Sequence, residues 1–311
     1  MSATIRVRVP AKINLSLAVG PPRDDGFHEL ATVFMGLSLY DDISVTDRAA
    51  GSGLRVTVSG SQASSVPLDS DNLAWQAAEL VATELGQQPD LDIAIDKGIP
   101  VAGGMAGGSA DAAAVLVAAA TRWRDEGEPD LMELAARLGS DVPFALLGGV
   151  AVGRNRGEQV ASAMARGTFH WVLALSDGQL STPKVYNELD RLRAGQPVAD
   201  PQVKFEVLQA VRGGDAVALG RGLSNDLQSA ALSLRPSLGS LLELGPDHGA
   251  LGAMVSGSGP TCAFLVADEE DAMELTVALS SSGLCRSVRR AHGPVPGAAV
   301  ISDGGASATG W

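Results

Sequence analysis

The sequence predicts a mixed α/β chain folded as two domains, and three observations lead there. The chain has 311 residues, more than one hydrophobic core ordinarily serves. Period-two apolar runs, the mark of half-buried strands, alternate with segments of helical spacing through the first half. From Phe169 the order of strand, loop and helix starts again, ending with a second glycine-rich segment at 256–260. The boundary is placed near residue 160, giving domains at 1–160 and 161–293. The tail 294–311, rich in Gly, Ala and Ser, is expected to be mobile.

Each element has its own signal. Ile5, Val7 and Val9 alternate with Arg6, Arg8 and Pro10, an edge strand ending at the proline. Ile13, Leu15, Leu17 and Val19 repeat the alternation, and residues 21–26 form a loop. Strands follow at Asp42–Asp47 and Leu54–Val58. A helix is expected over Asn72–Leu85 behind Asp71 as N-cap, then a strand at Leu91–Ile95. The glycine-rich run 100–108 precedes a helix from Ser109 to Arg122, in which seven of fourteen residues are alanine, the best helix former. Further on come a helix at Pro129–Leu138, a break at 139–143 and a sheet end at Val150–Val160 with a turn at 153–157. The second half offers strands at Phe169–Leu175, Cys262–Val266 and Ser287–Arg290, and a helix at Glu269–Ser281.

Composition narrows the function. Hydrophobic residues make up 45% and charged residues 19%, a globular balance. With 36 acidic against 23 basic residues the net charge is −13, which excludes a broad basic surface for nucleic acid or anionic lipid. The longest uncharged apolar stretch, Val142 to Gly153, is broken by Pro143 and three glycines, too short for a membrane span of about 20 residues. Cys262 and Cys285 form no CxxC and read as reduced thiols. A soluble cytoplasmic protein is expected, with a small-molecule substrate, no nucleic-acid or membrane partner, and a monomeric or weakly dimeric state. Only four basic residues are lysines, namely Lys12, Lys97, Lys184 and Lys204.

The first chemical signal is the run Pro100-Val101-Ala102-Gly103-Gly104-Met105-Ala106-Gly107-Gly108-Ser109-Ala110. Glycines let the backbone approach a ligand closely, and a helix starting just behind them adds its positive end, so the pair suits phosphate. A merely flexible packing turn is the plainer alternative. The chain has no Gly-Lys-Ser/Thr, no G-x-G-x-x-G, no G-x-S-x-G and no H-E-x-x-H, which removes the Walker, Rossmann, hydrolase and zincin readings.

Three ordered segments resemble the motifs of the GHMP small-molecule kinases. They are Pro10-Ala11-Lys12-Ile13-Asn14-Leu15, then Pro100 through Ala112, then Ser256-Gly257-Ser258-Gly259-Pro260-Thr261. Asp25-Gly26-Phe27-His28-Glu29-Leu30 and Leu138-Gly139-Ser140-Asp141-Val142-Pro143 narrow the likeness to family members acting on a diphosphocytidyl alcohol. The resemblance spans residues 5 to about 290. It implies an α+β two-domain architecture: an N-terminal α/β, ATP-binding domain with a left-handed βαβ-type unit, and a ferredoxin-like C-terminal domain, with the active site between them. It further implies transfer of the γ-phosphoryl group of ATP to the 2-hydroxyl of 4-diphosphocytidyl-2-C-methyl-D-erythritol, in non-mevalonate isoprenoid biosynthesis, with Mg²⁺.

Roles carried over by the resemblance fit the chemistry of phosphoryl transfer, which needs a positioned nucleophile and stabilised charge. Asp141 is the expected base and Lys12 the expected cation at the hydroxyl; an N-cap aspartate and a surface lysine are the plainer readings. Asn14 should share the strand face of Lys12 and lie near the substrate. Phe27 and His28 are expected to receive the cytosine, with Phe27 standing where tyrosine is frequent. The 100–110 run, Asn72 and Lys97 are expected around ATP, and Ser109 as a ligand of Mg²⁺. Asp111 either helps hold the metal or lies on the helix surface. Thr182, Gly257 and Ser258 are expected on the substrate side. Another GHMP kinase, such as a homoserine or mevalonate kinase, is the enzymatic alternative, and a non-catalytic nucleotide-binding homologue the other.

Overall fold

The two longest strands organise the first half of the molecule. A computed structural model describes residues 4–60, 62–101 and 103–301. Strand β1 (Ile5–Pro22) runs straight through Pro10, so the two strands read from the sequence are one. The β1–β2 ladder shifts register between Pro10 and Ala11, and that bulge removes the demand for an N–H at the proline. Strand β2 (His28–Asp47) returns antiparallel to it. Only its end, Asp42–Asp47, stands out in the sequence, because residues 31–37 are all buried and show no alternation.

Strand β3 (Arg55–Gly60), helix α1 (Leu73–Glu84) and strand β4 (Leu91–Lys97) follow, with β3 and β4 parallel, so α1 is a crossover between them. The N-cap of α1 is Asn72 rather than Asp71. Helix α2 (Gly107–Arg122) is buried at every position from Ala110 to Ala119. Its alanines let it press close against β1 and β2 on one side and its helical neighbours on the other. Helix α3 (Leu131–Leu138) is capped by Asp130, helix α4 (Val142–Leu147) starts in the expected break, and β5 (Val150–Asn155) pairs with β6 (Gln159–Ala163). The hairpin turn falls at 156–158, later than expected.

The second sheet begins at β7 (Phe169–Leu175). After α5 (Thr182–Arg193), α6 (Phe205–Gly213), α7 (Ala216–Gly222), β8 (Ser224–Asn225), α8 (Gln228–Leu234) and α9 (Ser237–Asp247) come β9 (Gly252–Val255), β10 (Cys262–Val266), α10 (Glu269–Ser281), β11 (Ser287–Gly293) and β12 (Ala299–Val300). This sheet runs β11-β7-β10-β9, all antiparallel. The order is compatible with the ferredoxin-like expectation. The first sheet runs β12-β1-β2-β4-β3, with β5 and β6 continuing from β2 and β8 beside β1.

The expected boundary near 160 lies inside β6, and β8 and β12 carry the second half of the chain back to β1. The expectation of a mobile tail from Pro294 does not hold for 294–301. Val295 makes backbone hydrogen bonds with Gly36 and Gly149, Ala298 bonds to Ala145, and β12 pairs with β1. Burial of Val295 and Ala298 supplies the reason. Residues 302–311 lie outside the described residues. Both cysteines are free, and burial pushes the Cys262 thiol up to about 12. Among the described residues no helix is long and apolar enough to cross a membrane.

Candidate active site

A cleft of about 750 Å³ lies where the first sheet, the start of α2, the start of α5 and the second glycine segment meet. On β1, Lys12 and Asn14 face the cleft while Ile13 and Leu15 enter the core; past the register shift between Asn14 and Ser16 it is Leu17 that lines the cleft. The Lys12 ammonium is 2.9 Å from Asn14 Oδ1 and 3.4 Å from Asp141 Oδ2, and sits 5.4 Å from the centre of the Phe34 ring. Asn14 is held by a directional relay. The Thr32 hydroxyl donates to the Ser16 carbonyl at 2.7 Å and accepts from Asn14 Nδ2 at 2.8 Å, which leaves Oδ1 facing the lysine. Asp141 occupies the N-cap position of α4 but makes no side-chain cap bond, so its carboxylate remains directed at Lys12.

The glycine loop lies beside this pair, the Lys12 N–H donating to the Met105 carbonyl at 3.3 Å. Gly103, Gly104, Ala106, Gly107 and Gly108 line the cleft, and α2 begins at Gly107 with its first N–H groups lacking helical partners. Ala106 holds a left-handed conformation, φ 59°, which costs a non-glycine residue about 1–2 kcal/mol and fits a functional turn. The second glycine segment touches the first: the Ser256 hydroxyl donates to the Gly104 carbonyl at 3.1 Å. A Cβ on Gly104 would stand 2.2 Å from the Ser256 carbonyl oxygen at φ +74°. Gly104→Ala is therefore expected to raise the KM for ATP and to lower stability by about 1–3 kcal/mol, read by initial rates and thermal melts.

Asn225 holds that second segment, donating from Nδ2 to the carbonyls of Val255 and Gly257. Thr182, first residue of α5, shares a 2.9 Å hydroxyl contact with Ser258. At the other end of the cleft His28 Nε2 lies 2.9 Å from Asp190 Oδ1, and its ring is 4.9 Å from that of Tyr186. Burial raises the Tyr186 phenol well above its ordinary value, and the Asp141 carboxylate adds to the shift, so it stays neutral. Phe27 is half exposed, with the Arg156 guanidinium over its ring at 5.1 Å.

The cleft thus brings together Lys12, Asn14, Phe27, His28, Asp141, Thr182, Gly257, Ser258 and the glycine loop. Several expected nucleotide residues sit elsewhere. Lys97 presents no ammonium to the cleft; it is buried between Asp41 and Asp111, 2.8 Å from Asp111 Oδ2. Asp111 is therefore buried and paired with Lys97 rather than on the helix surface. Asn72 spends both polar atoms locally, accepting from the Ala74 N–H and donating to the Pro67 carbonyl. Pro100, Met105 and Ala110 are buried under the loop, Val101 is bonded through its N–H to Gln62, and Ser109 is half-buried in the first turn of α2. Ala102 lies outside the described residues. Sequence reasoning missed Thr32, Tyr186 and Asp190. The signal was present for two of them: Thr182, Tyr186 and Asp190 recur every four residues, one face of a helix.

Comparison with known proteins decides the family. The model for the GHMP kinases N terminal domain matches residues 72–149, and that for the GHMP kinases C terminal matches 207–283. A protein named 4-diphosphocytidyl-2-C-methyl-D-erythritol kinase from Rhodococcus jostii (strain RHA1) is 56% identical over 301 residues, covering 96% of this chain and 95% of its own.

The chain belongs to the GHMP kinase family.

This GHMP kinase also superposes on the crystal structure of a 4-(cytidine 5'-diphospho)-2C-methyl-D-erythritol kinase, with a TM-score of 0.73, 31% identity and coverage of 92% of this chain and 98% of that one. A homoserine kinase from Cytophaga hutchinsonii ATCC 33406 gives a TM-score of 0.74 at 18% identity, over 96% and 97% of the two chains. The fold is therefore common to kinases of different substrates, and substrate choice rests on the cleft.

Proposed function

We propose that this GHMP kinase transfers the γ-phosphoryl group of ATP to the 2-hydroxyl of 4-diphosphocytidyl-2-C-methyl-D-erythritol. One observation carries the reading: Lys12 and Asp141 meet at 3.4 Å in a cleft that the glycine loop also lines and that has aromatic rings at His28 and Tyr186. The loop and the first turn of α2 suit a triphosphate. Phe27, His28 and Tyr186 offer ring faces and a polar edge to a cytosine, and Thr182, Gly257 and Ser258 flank the span between.

In this reading Asp141 accepts the proton of the 2-hydroxyl as that oxygen bonds to the γ-phosphorus and the bond to the β-phosphate oxygen breaks, releasing ADP. Lys12, oriented by Asn14, stabilises charge on the attacking oxygen. Among the described residues no group of three or more His, Cys, Asp and Glu side chains could hold a metal, and Asp111 is committed to Lys97. A Mg²⁺ would then enter with the triphosphate and neutralise phosphate charge, with Ser109, half-buried in the first turn of α2 just behind the cleft lining, the side chain that would be offered to it. One chain lines the whole cleft, so the site needs no residue from a partner copy, and ATP supply and free thiols support a cytoplasmic location.

The test is release of ADP from ATP-Mg²⁺ with the diphosphocytidyl substrate, measured beside homoserine and mevalonate. Turnover of the first alone is expected, with CDP competing against that substrate and not against ATP. Failure of the diphosphocytidyl substrate to react would overturn the reading.

A further inference from the structure

We propose that Asp190 determines which nitrogen of His28 carries the proton, and thereby the preference of the cleft for cytosine over uracil; the second half rests on the cytidine reading above. His28 opens β2 and Asp190 lies eight residues into α5, so their contact exists only because α5 packs on the tip of the β1–β2 hairpin. The imidazole is buried, at 7% exposure, and α5 holds it from two successive turns. Tyr186 sets its ring against one side, at 4.9 Å and tilted by 36°, while Asp190 Oδ1 stands 2.9 Å from Nε2.

A carboxylate accepts hydrogen bonds and cannot donate them. The proton of a neutral imidazole in this contact therefore sits on Nε2, and Nδ1 becomes the acceptor. An acceptor in the lining of the cleft selects among pyrimidines. The exocyclic N4 amine of cytosine donates to it, whereas the O4 of uracil, a second acceptor in the same place, is left unpaired and repelled. Asp190 lines the cleft beside His28, and its bond is to the imidazole. It is a positioning residue, acting through His28.

The experiment compares wild type and Asp190→Asn on the natural substrate and on its uridine analogue. The asparagine amide can either accept from Nε2 or donate to it, so the tautomer is no longer dictated, and wherever the amide donates the imidazole proton moves to Nδ1 and the recognition atom becomes a donor. Wild type is expected to favour the cytidine substrate by about 100-fold or more in kcat/KM. In Asp190→Asn the ratio should fall about tenfold, the worth of one hydrogen bond, through KM rather than kcat. Two-bond ¹⁵N–¹H NMR correlations, assigned to His28 by their absence in His28→Asn, should show an Nε2–H ring in wild type and an added Nδ1–H population in Asp190→Asn.

A contact that merely ties α5 to the hairpin would lower Tm in Asp190→Asn and leave the base ratio within twofold of wild type, which overturns the proposal. An Nδ1–H or doubly protonated His28 in wild type overturns it as well. A wild type that turns over neither substrate defeats the cytidine reading, and with it the claim of base preference, while the NMR result still decides whether Asp190 sets the tautomer.

Discussion

Replacing Asp141 with asparagine is expected to lower kcat by about 10²–10⁴, with Tm and the KM for ATP nearly unchanged. Asp141 stands at the N-cap of α4 without capping it, so asparagine removes no bond that holds the helix. Its side chain is 31% exposed, and the Lys12 ammonium keeps its 2.9 Å contact with Asn14 when the carboxylate is gone. What disappears is an acceptor for the proton of the attacking hydroxyl. A structural aspartate would behave in the opposite way, costing stability and sparing kcat. Steady-state ADP release and a thermal melt on the same preparation separate the two, and undiminished turnover in Asp141→Asn would remove the base from the mechanism.

Much of this site is legible in the amino-acid sequence, because its residues sit in short motifs whose spacing is local. Lys12 and Asn14 alternate on one strand, and the glycine loop abuts the helix that completes it. Contacts at long range leave no such mark. Thr32 orders Asn14 across the β1–β2 ladder, and Asp190 reaches His28 over 162 positions. Strand β2 is hidden for a related reason, since burial on both faces erases the alternation by which a strand is recognised. The tail misleads because its small residues resemble a linker, while in the fold the bare backbones of Gly36 and Gly148 leave a slot that 294–298 fills, with Gly149 and Gly36 bonding to Val295.

Lys97 shows how a residue of the right type in the right motif can do a different job, and Lys97→Met is expected to be the most damaging single change to stability. Its ammonium bonds to Asp41 Oδ2 and Asp111 Oδ2, while Asp41 Oδ1 accepts the N–H groups of Gly98 and Ile99, both at 2.8 Å. The trio thus ties β2, the entry to the glycine loop and α2 together. Burial opposes the charge on Lys97, but the two carboxylates more than offset it and leave the ammonium above the usual lysine value. Burial likewise raises Asp41 and, further, Asp111. Methionine fills the space and strands two buried carboxylates, a loss of about 3–5 kcal/mol and a fall in Tm on the order of 10 °C. Adding Asp111→Asn to Lys97→Met should recover part of that loss, because one uncompensated charge goes with it. The KM for ATP should rise with the instability, since a Cβ on Gly107 would stand only 3.1 Å from Lys97 Nζ and the first turn of α2 rests on that ammonium. A direct nucleotide contact predicts another result: KM for ATP rising in Lys97→Met at unchanged Tm, with no recovery from Asp111→Asn.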